Sequence, residues 1–110
     1  MNFTHRNLAA GRWNQFSLVE QLANVGSEVG RAISWKNKNR QKFSEAAFFR
    51  ALELIDLIFA DRKNAGRLKE ISRTREVLVD YFAGKNIYRS SDETLQKYFH
   101  AFNFAARIGK

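Results

Sequence analysis

The chain has 110 residues, no cysteine and no proline, and its 19 basic and 11 acidic residues give a net charge of +8. The lack of cysteine excludes disulfides, thiol catalysis and thiolate metal sites, and the lack of proline, with only six glycines, favours long helices over an all-β fold rich in turns. The length fits one domain, and the charge favours an anionic partner such as nucleic acid, a membrane surface or an acidic protein.

The most apolar segment of the sequence is residues 46–60. It contains Arg50, Glu53 and Asp56, and it is too short to cross a bilayer. The amino terminus lacks the apolar stretch of a signal peptide. We therefore expect a soluble, cytoplasmic protein that does not act at a membrane.

The first predicted helix covers residues 18–35. It follows a capping box, in which the Ser17 hydroxyl accepts the Glu20 N–H and the Glu20 carboxylate accepts the Ser17 N–H. Apolar residues recur at helical spacing along one face: Leu18, Leu22, Val25, Val29 and Ile33. Gly26 and Gly30 flank this face, so another helix can approach closely there.

The second predicted helix starts near Ser44 or a little before it and ends near Ala60. Its wide apolar face consists of Ala47, Phe48, Ala51, Leu52, Ile55, Ile58 and Phe59. Phe49 and Leu57 fall towards the opposite face. A helix that is apolar on nearly all sides is either central in a bundle or covered by a partner chain.

The third predicted helix covers residues 65–83, with Asn64 as its cap and Gly84 as its stop. Arg75 projects from the middle of its apolar stripe, and an unpaired guanidinium in a core would cost several kcal/mol. We therefore expect a buried ion pair between Arg75 and one of three acids, namely Glu28, Glu53 or Asp56. The alternative is that Arg75 faces a subunit interface.

The fourth predicted helix opens with a second capping box, Ser90 and Glu93, and ends near residue 107. The sequence shows four amphipathic segments, short links and no strand signal. This pattern predicts an all-α, up-down-up-down four-helix bundle over residues 17–110. Residues 1–16 form a short amino-terminal arm, which Trp13 and Phe16 anchor to the end of the bundle.

In this topology the link at residues 36–42 lies beside the link at residues 84–91, and neither contains an acid. We call the cations that the two links gather the basic pole: Lys36, Lys38, Arg40, Lys42, Lys85 and Arg89. Lys and Arg can neutralise phosphates, while an aromatic ring such as Trp35 stacks on unpaired bases. The basic pole is therefore either a nucleic-acid site or, alternatively, a set of ordinary solvated loops.

Motifs for catalysis or metal binding are absent from the sequence. Di-metal sites in helical bundles use Glu-x-x-His pairs, and neither His5 nor His100 belongs to one. There is no glycine-rich phosphate loop. We predict a non-enzymatic protein without metal or cofactor. The alternative is a small enzyme that uses Arg75 with Glu28 or Asp56 in a cleft of the bundle.

Three segments carry a family resemblance: RWNQFSLVEQLANVGSEVGRAISW (12–35), RALELIDL (50–57) and REVLVDYF (75–82). They resemble a family of small uncharacterised prokaryotic helical proteins, and the likeness covers most of the chain. The size, basicity and helix pattern are also similar to those of four-helix-bundle accessory proteins of ribosomes and of diversity-generating retroelements. The retroelement subunits assist a reverse transcriptase, so this resemblance implies an accessory role in a nucleic-acid machine.

The sequence therefore predicts two alternative functions, of which the first is the preferred one. The first is a bundle that binds RNA or DNA through basic residues at both of its ends. One end carries the basic pole, and the other gathers the cations of the arm, of residues 62–69 and of the tail: Arg6, Arg12, Arg62, Lys63, Arg67, Lys69, Arg107 and Lys110. The second is a protein–protein adaptor or toxin–antitoxin component that binds an acidic partner. The apolar second helix, together with Phe104 on the outer side of the fourth, also predicts a homo-oligomer.

Overall fold

A computed structural model describes residues 12–108 of the chain. It contains four α-helices: α1 (Leu18–Asn37), α2 (Gln41–Ala60), α3 (Leu68–Ala83) and α4 (Asp92–Ile108). Short 3-10 helices, Arg12–Gln15 and Arg62–Arg67, precede α1 and α3. Residues 12–108 form no β-strand, which confirms the predicted all-α four-helix fold.

The central element of the bundle is α1, which packs along both α2 and α4. The helix α3 packs against α2 and against the 3-10 helix that precedes it. Fully buried side chains from three helices form the middle of the core, among them Val25, Ile33, Ile55, Ile58 and Leu78. Helices α3 and α4 bury few residues each, so both are more peripheral than α1 and α2.

The start of α1 follows the predicted capping box. The Glu20 N–H donates to the Ser17 hydroxyl at 3.2 Å, and the Ser17 N–H donates to the Glu20 carboxylate at 3.0 Å. Gly26 lies where α4 crosses α1, and a Cβ atom at this position would lie 2.7 Å from the Cβ of Phe99. Glycine is therefore required at this crossing, as the close-approach prediction expects. Gly30 has no such neighbour.

The helix starts follow the prediction for α2 but not for α3. Helix α2 begins at Gln41, a little before Ser44, and the buried Ser44 hydroxyl donates to the Ala32 carbonyl of α1 at 2.8 Å. Asn64 does not cap α3. Its buried amide donates to Gln21 at 3.0 Å and to the Ile58 carbonyl at 3.1 Å.

The start of α4 also differs from the prediction by one residue. Ser91, not Ser90, occupies the cap position, and its hydroxyl accepts the Thr94 N–H at 3.1 Å. The Ser91 N–H donates to the Thr94 hydroxyl at 2.8 Å. Thr94 therefore takes the reciprocal role that was predicted for Glu93.

The residues before α1 join the bundle through Trp13, which is 1% exposed. Gln21 of α1 donates to the Trp13 carbonyl at 3.1 Å and to the Asp61 carboxylate at 2.9 Å. Phe16 is half-buried beside Trp13, with ring centroids 5.9 Å apart. The rest of the predicted arm, residues 1–11, lies outside the described residues, so its boundary stays a prediction.

The predicted buried ion pair of Arg75 is wrong in its burial. Arg75 Nε lies 3.3 Å from Asp56 Oδ1, but the two side chains are 39% and 62% exposed. Helix α3 buries only a narrow stripe, and Arg75 lies at its edge. Of the three acids predicted as partners of Arg75, Glu28 is the buried one. Its carboxylate accepts hydrogen bonds from Arg31 at 2.9 Å and from Arg50 at 3.1 Å. Glu53 is half-buried and makes no ion pair with Arg75.

Candidate nucleic-acid interface

The link between α1 and α2 is a tight turn at one end of the bundle. The N–H groups of Lys38, Asn39 and Arg40 all donate to carbonyls in the last turn of α1, at 2.9–3.2 Å. Asn39 adopts a left-handed conformation, with φ of 59°, which asparagine tolerates better than most residues. The turn therefore fixes the backbone from which Lys38 and Arg40 extend into solvent.

The link between α3 and α4 is fixed by two polar side chains. The Asp80 carboxylate accepts the backbone N–H groups of Ile87 and Tyr88 at 2.8 and 3.0 Å. The Asn86 side chain accepts the Ser90 N–H at 2.8 Å and donates to the Ser90 carbonyl at 2.9 Å. Both Asn86 and Arg89 are left-handed, with φ of 57° and 55°. These bonds hold Arg89 in a conformation that costs an arginine strain.

A cluster around Asp92 joins the two links. Lys36 Nζ lies 2.7 Å from both Asp92 Oδ1 and the Tyr81 hydroxyl. The Tyr81 hydroxyl donates to the same carboxylate oxygen, and Asn37 donates to the other at 3.0 Å. The structure therefore places the end of α1 beside the start of α4, and it brings the two halves of the basic pole to the same end of the bundle.

The charges of this cluster cancel. Burial alone would raise the pKa of Asp92, but hydrogen bonds from Lys36, Tyr81 and Asn37 hold it below its usual value. Burial alone would lower the pKa of Lys36, but hydrogen bonds to Asp92 and Tyr81 raise it. Burial and the hydrogen bond to Asp92 raise the pKa of Tyr81. At neutral pH the cluster is an ammonium, a carboxylate and a neutral phenol, so Lys36 adds no net positive charge to the end of the bundle.

The other five members of the basic pole differ from Lys36. Lys38, Arg40, Lys42, Lys85 and Arg89 are all exposed. None of them has a carboxylate within 4.0 Å among residues 12–108. We call these residues the five open cations. Their charge is available to a ligand because no acid of the described chain neutralises it.

An aromatic pair lies among the open cations. Trp35, at the end of α1, and Phe43, in the first turn of α2, have ring centroids 4.9 Å apart and ring planes 34° apart. Phe43 is 54% exposed and Trp35 is half-buried. The Lys38 ammonium lies 5.3 Å from the centre of the Trp35 ring. The sequence prediction missed Phe43, although two aromatics that flank a turn between helices are a usable signal.

Tyr88, an aromatic residue in the link between α3 and α4, is oriented towards α3. Its hydroxyl donates to Glu76 at 2.9 Å, and the Arg73 guanidinium lies 5.6 Å from its ring centre. The hydrogen bond to Glu76, which favours the protonated hydroxyl, and partial desolvation raise the pKa of Tyr88. Its hydroxyl is therefore already used by a contact within the chain, although 41% of its surface is exposed.

At the opposite end of the bundle, two of the cations have acid partners. Lys63 pairs with the buried Asp61 carboxylate, and Arg67 pairs with Glu70 at 2.7 Å. Exposed cations without a carboxylate partner in the described chain also occur away from the basic pole, among them Arg62, Lys69 and Lys97. These scattered residues provide control positions for experiments on the basic pole.

An apolar groove separates α3 from α4. It has a volume of about 420 Å³, and its floor and walls include Val77, Leu78, Leu95 and Phe99. At one wall the hydroxyls of Thr74 and Tyr98 lie 2.9 Å apart. The groove exists because α3 and α4 each pack against other helices and not closely against one another.

Neither a metal cluster nor a known relative identifies the chain. In residues 12–108, no group of three or more metal-ligating side chains could hold an ion. No helix in this range has the length and apolar character needed to cross a membrane. No family model, curated protein or solved structure matches the chain. The resemblance to small prokaryotic helical proteins and to four-helix-bundle accessory proteins therefore stays a prediction.

Proposed function

We propose that the chain is a non-enzymatic protein that binds RNA or DNA through the phosphate backbone. The observation that carries the proposal is the position of the five open cations, on two adjoining links and the first turn of α2, none of which contains an acid. Neutralising phosphates releases counterions from the nucleic acid, and this release drives binding without sequence preference. A small bundle with one such surface suits an accessory subunit in a larger cytoplasmic machine, such as a retroelement reverse transcriptase.

Lys36 contributes differently from the original prediction. Its charge is used within the chain, where it positions the two links by bonding to Asp92 and Tyr81. We therefore assign phosphate contact to Lys38, Arg40, Lys42, Lys85 and Arg89, and a positioning role to Lys36.

The test is the salt dependence of binding to a short single-stranded oligonucleotide. The test variant carries Lys38→Gln, Arg40→Gln and Lys42→Gln, which remove three charges but keep long side chains. The control variant carries Arg62→Gln, Lys69→Gln and Lys97→Gln, so the two proteins have equal net charge. Dissociation constants are measured between about 50 and 200 mM salt by fluorescence anisotropy.

The slope of log K against log salt discriminates between the two variants. Three lost phosphate contacts should reduce its magnitude by about 2 in the test variant. The control variant should keep a slope close to that of the wild type. Equal slopes in all three proteins would refute the assignment to the basic pole.

A second candidate function is a protein–protein adaptor, and a different surface favours it. The α3–α4 groove is apolar and open, and Phe49 and Phe104 are 58% and 57% exposed. Exposed apolar surface of this kind is often covered by a partner protein or a second copy of the chain. Light scattering at micromolar concentration tests self-association, and a monomeric mass would exclude a stable homo-oligomer at that concentration.

A further inference from the structure

We infer that the basic pole selects single-stranded nucleic acid, because Trp35 and Phe43 form a platform on which an unpaired base stacks. The inference rests on the proposed function and narrows its ligand from nucleic acid in general to strands with free bases. Both rings come from the ends of helices that meet at one tight turn, so the platform is positioned by the fold.

The geometry of the pair suits stacking. The ring centroids are 4.9 Å apart with planes tilted by 34°, so the two rings pack on one another, and Phe43 keeps 54% of its surface exposed. The protein therefore leaves an apolar ring uncovered beside its most basic turn. A base placed against this ring would remove apolar surface from water, and every base has a flat face that can do so.

Each ring of the platform has a lysine close to it in the sequence or in the structure. Lys42 directly precedes Phe43, and Lys38 lies against Trp35. A strand whose base contacts the rings can therefore place its flanking phosphates near cations. In a duplex the base faces are covered by neighbouring base pairs, so a duplex can use only the cations and not the rings.

The surroundings of the platform argue against a protein partner at this position. Interfaces between proteins are depleted in lysine at their centres, whereas Lys38 lies over the Trp35 ring of this pair and Lys42 directly precedes Phe43 in the sequence. No acid occurs between residues 29 and 44 to balance them. The combination of an exposed ring and uncompensated cations fits a ligand that carries both flat rings and negative charge.

The test uses the tryptophan emission of the protein, titrated with oligothymidylate or with its duplex with oligodeoxyadenylate. The chain has two tryptophans, and Trp13 is 1% exposed among groups at the opposite end of α1. We expect the single strand to quench the wild-type emission. The Trp35→Phe variant, which keeps only Trp13, should show no such quenching. The duplex should leave the emission of both proteins unchanged.

Affinity measurements with Phe43→Ala provide the second arm. Loss of one stacked base should weaken single-strand binding about tenfold and leave duplex binding unchanged. The matched control is Phe49→Ala, because Phe49 is a similarly exposed phenylalanine on the same helix, packed against Phe48 and not against Trp35. Both affinities should be unchanged in this control.

Two contrary outcomes separate the inference from the function on which it rests. If both nucleic acids bind equally, with a steep salt slope and no quenching, the inference is overturned and the proposed function stands. If neither binds at low salt, both are overturned.

Discussion

The ammonium of Lys36 lies 2.7 Å from a carboxylate oxygen of Asp92, and this ion pair ties the end of α1 to the start of α4. The pair is 35% and 22% exposed, so it is only partly screened by water. It aligns the two basic links and, at the same time, neutralises one of their six cations. Stability and ligand binding therefore make opposite demands on Asp92.

We expect Asp92→Asn to destabilise the fold and to strengthen nucleic-acid binding. The variant weakens three hydrogen bonds to the carboxylate, which should cost about 1–2 kcal/mol of unfolding free energy. It also frees the charge of Lys36 for a phosphate. Chemical denaturation and anisotropy titration measure the two effects, and a simultaneous fall in stability and affinity would contradict the assigned roles.

The pH dependence of stability follows from Asp92 and Asp61. Both pKa values are lowered in the folded chain, because hydrogen bonds outweigh the effect of burial, which on its own would raise them. For Asp61 the main bonds come from Lys63 and Gln21. A carboxyl group whose folded pKa lies below its unfolded value of about 3.9 stabilises the fold above that value. This stability is lost as the pH falls through the folded pKa.

The corresponding experiment compares unfolding free energies at about pH 6 and pH 3. The wild type should lose stability on acidification, and Asp61→Asn and Asp92→Asn should each lose less. An identical acid sensitivity in all three proteins would show that neither carboxylate is stabilised by its partners in the folded state.

Two glycines of α1 make a matched pair. A Cβ at Gly26 would lie 2.7 Å from the Cβ of Phe99, whereas no atom lies within 4 Å of a Cβ at Gly30. Gly26→Ala should therefore lower the unfolding free energy by about 1–2 kcal/mol, because the forced separation of α1 and α4 exceeds the gain in helix propensity. Gly30→Ala should raise it by about 0.5–1 kcal/mol. Stabilisation by both substitutions would place α4 elsewhere.

The ion pairs of α2 should differ in strength according to burial. Glu28→Ala removes the carboxylate that pairs with Arg50, whose side chain is 28% exposed. We expect the unfolding free energy to fall by about 2–4 kcal/mol. Asp56→Ala removes the exposed partner of Arg75 and should cost less than about 1 kcal/mol. Thermal or chemical unfolding measures the loss of unfolding free energy in the two variants. Equal losses would indicate that the Arg75–Asp56 pair is as buried as the pair of Glu28 and Arg50.

Arg89 places a positive charge at a backbone position where a non-glycine residue lowers the stability of the fold. Its left-handed backbone, with φ of 55°, strains an arginine but not a glycine. Arg89→Gly should therefore leave the unfolding free energy unchanged or raise it by about 1 kcal/mol, while nucleic-acid affinity falls. Lys85→Gln is the control, because it removes a charge from the same link without a strained backbone. If Arg89→Gly binds as tightly as the wild type, Arg89 does not contact phosphate.

The fold was predictable where its determinants are local. Apolar residues at helical spacing identify all four helices, and Ser17 with Glu20 fixes the start of α1. The missed start of α3 has a tertiary cause. Asparagine is a residue type that often caps helices. The side-chain amide of Asn64 instead donates a hydrogen bond to Gln21, which is 43 residues away in the sequence. Sequence spacing contains no record of such a partner.

The candidate site was predictable in its charge and not in its contacts. The shared location of the two links follows from bundle topology, and the cations follow from composition. That Asp92 would take Lys36 out of the site depends on the rotation of α4 about its axis, which periodicity defines only coarsely. The Trp35–Phe43 pair depends in the same way on the crossing of two helices at one turn.

The most direct test of nucleic-acid binding is the ultraviolet absorbance of the protein purified from cells at moderate salt. The ratio of absorbance at 260 nm to that at 280 nm reports bound nucleic acid. We expect a raised ratio for the wild type that nuclease or high salt removes, and a lower ratio for the Lys38, Arg40, Lys42→Gln variant purified in parallel. A wild-type ratio equal to that of protein alone, at low as well as moderate salt, would contradict the proposal.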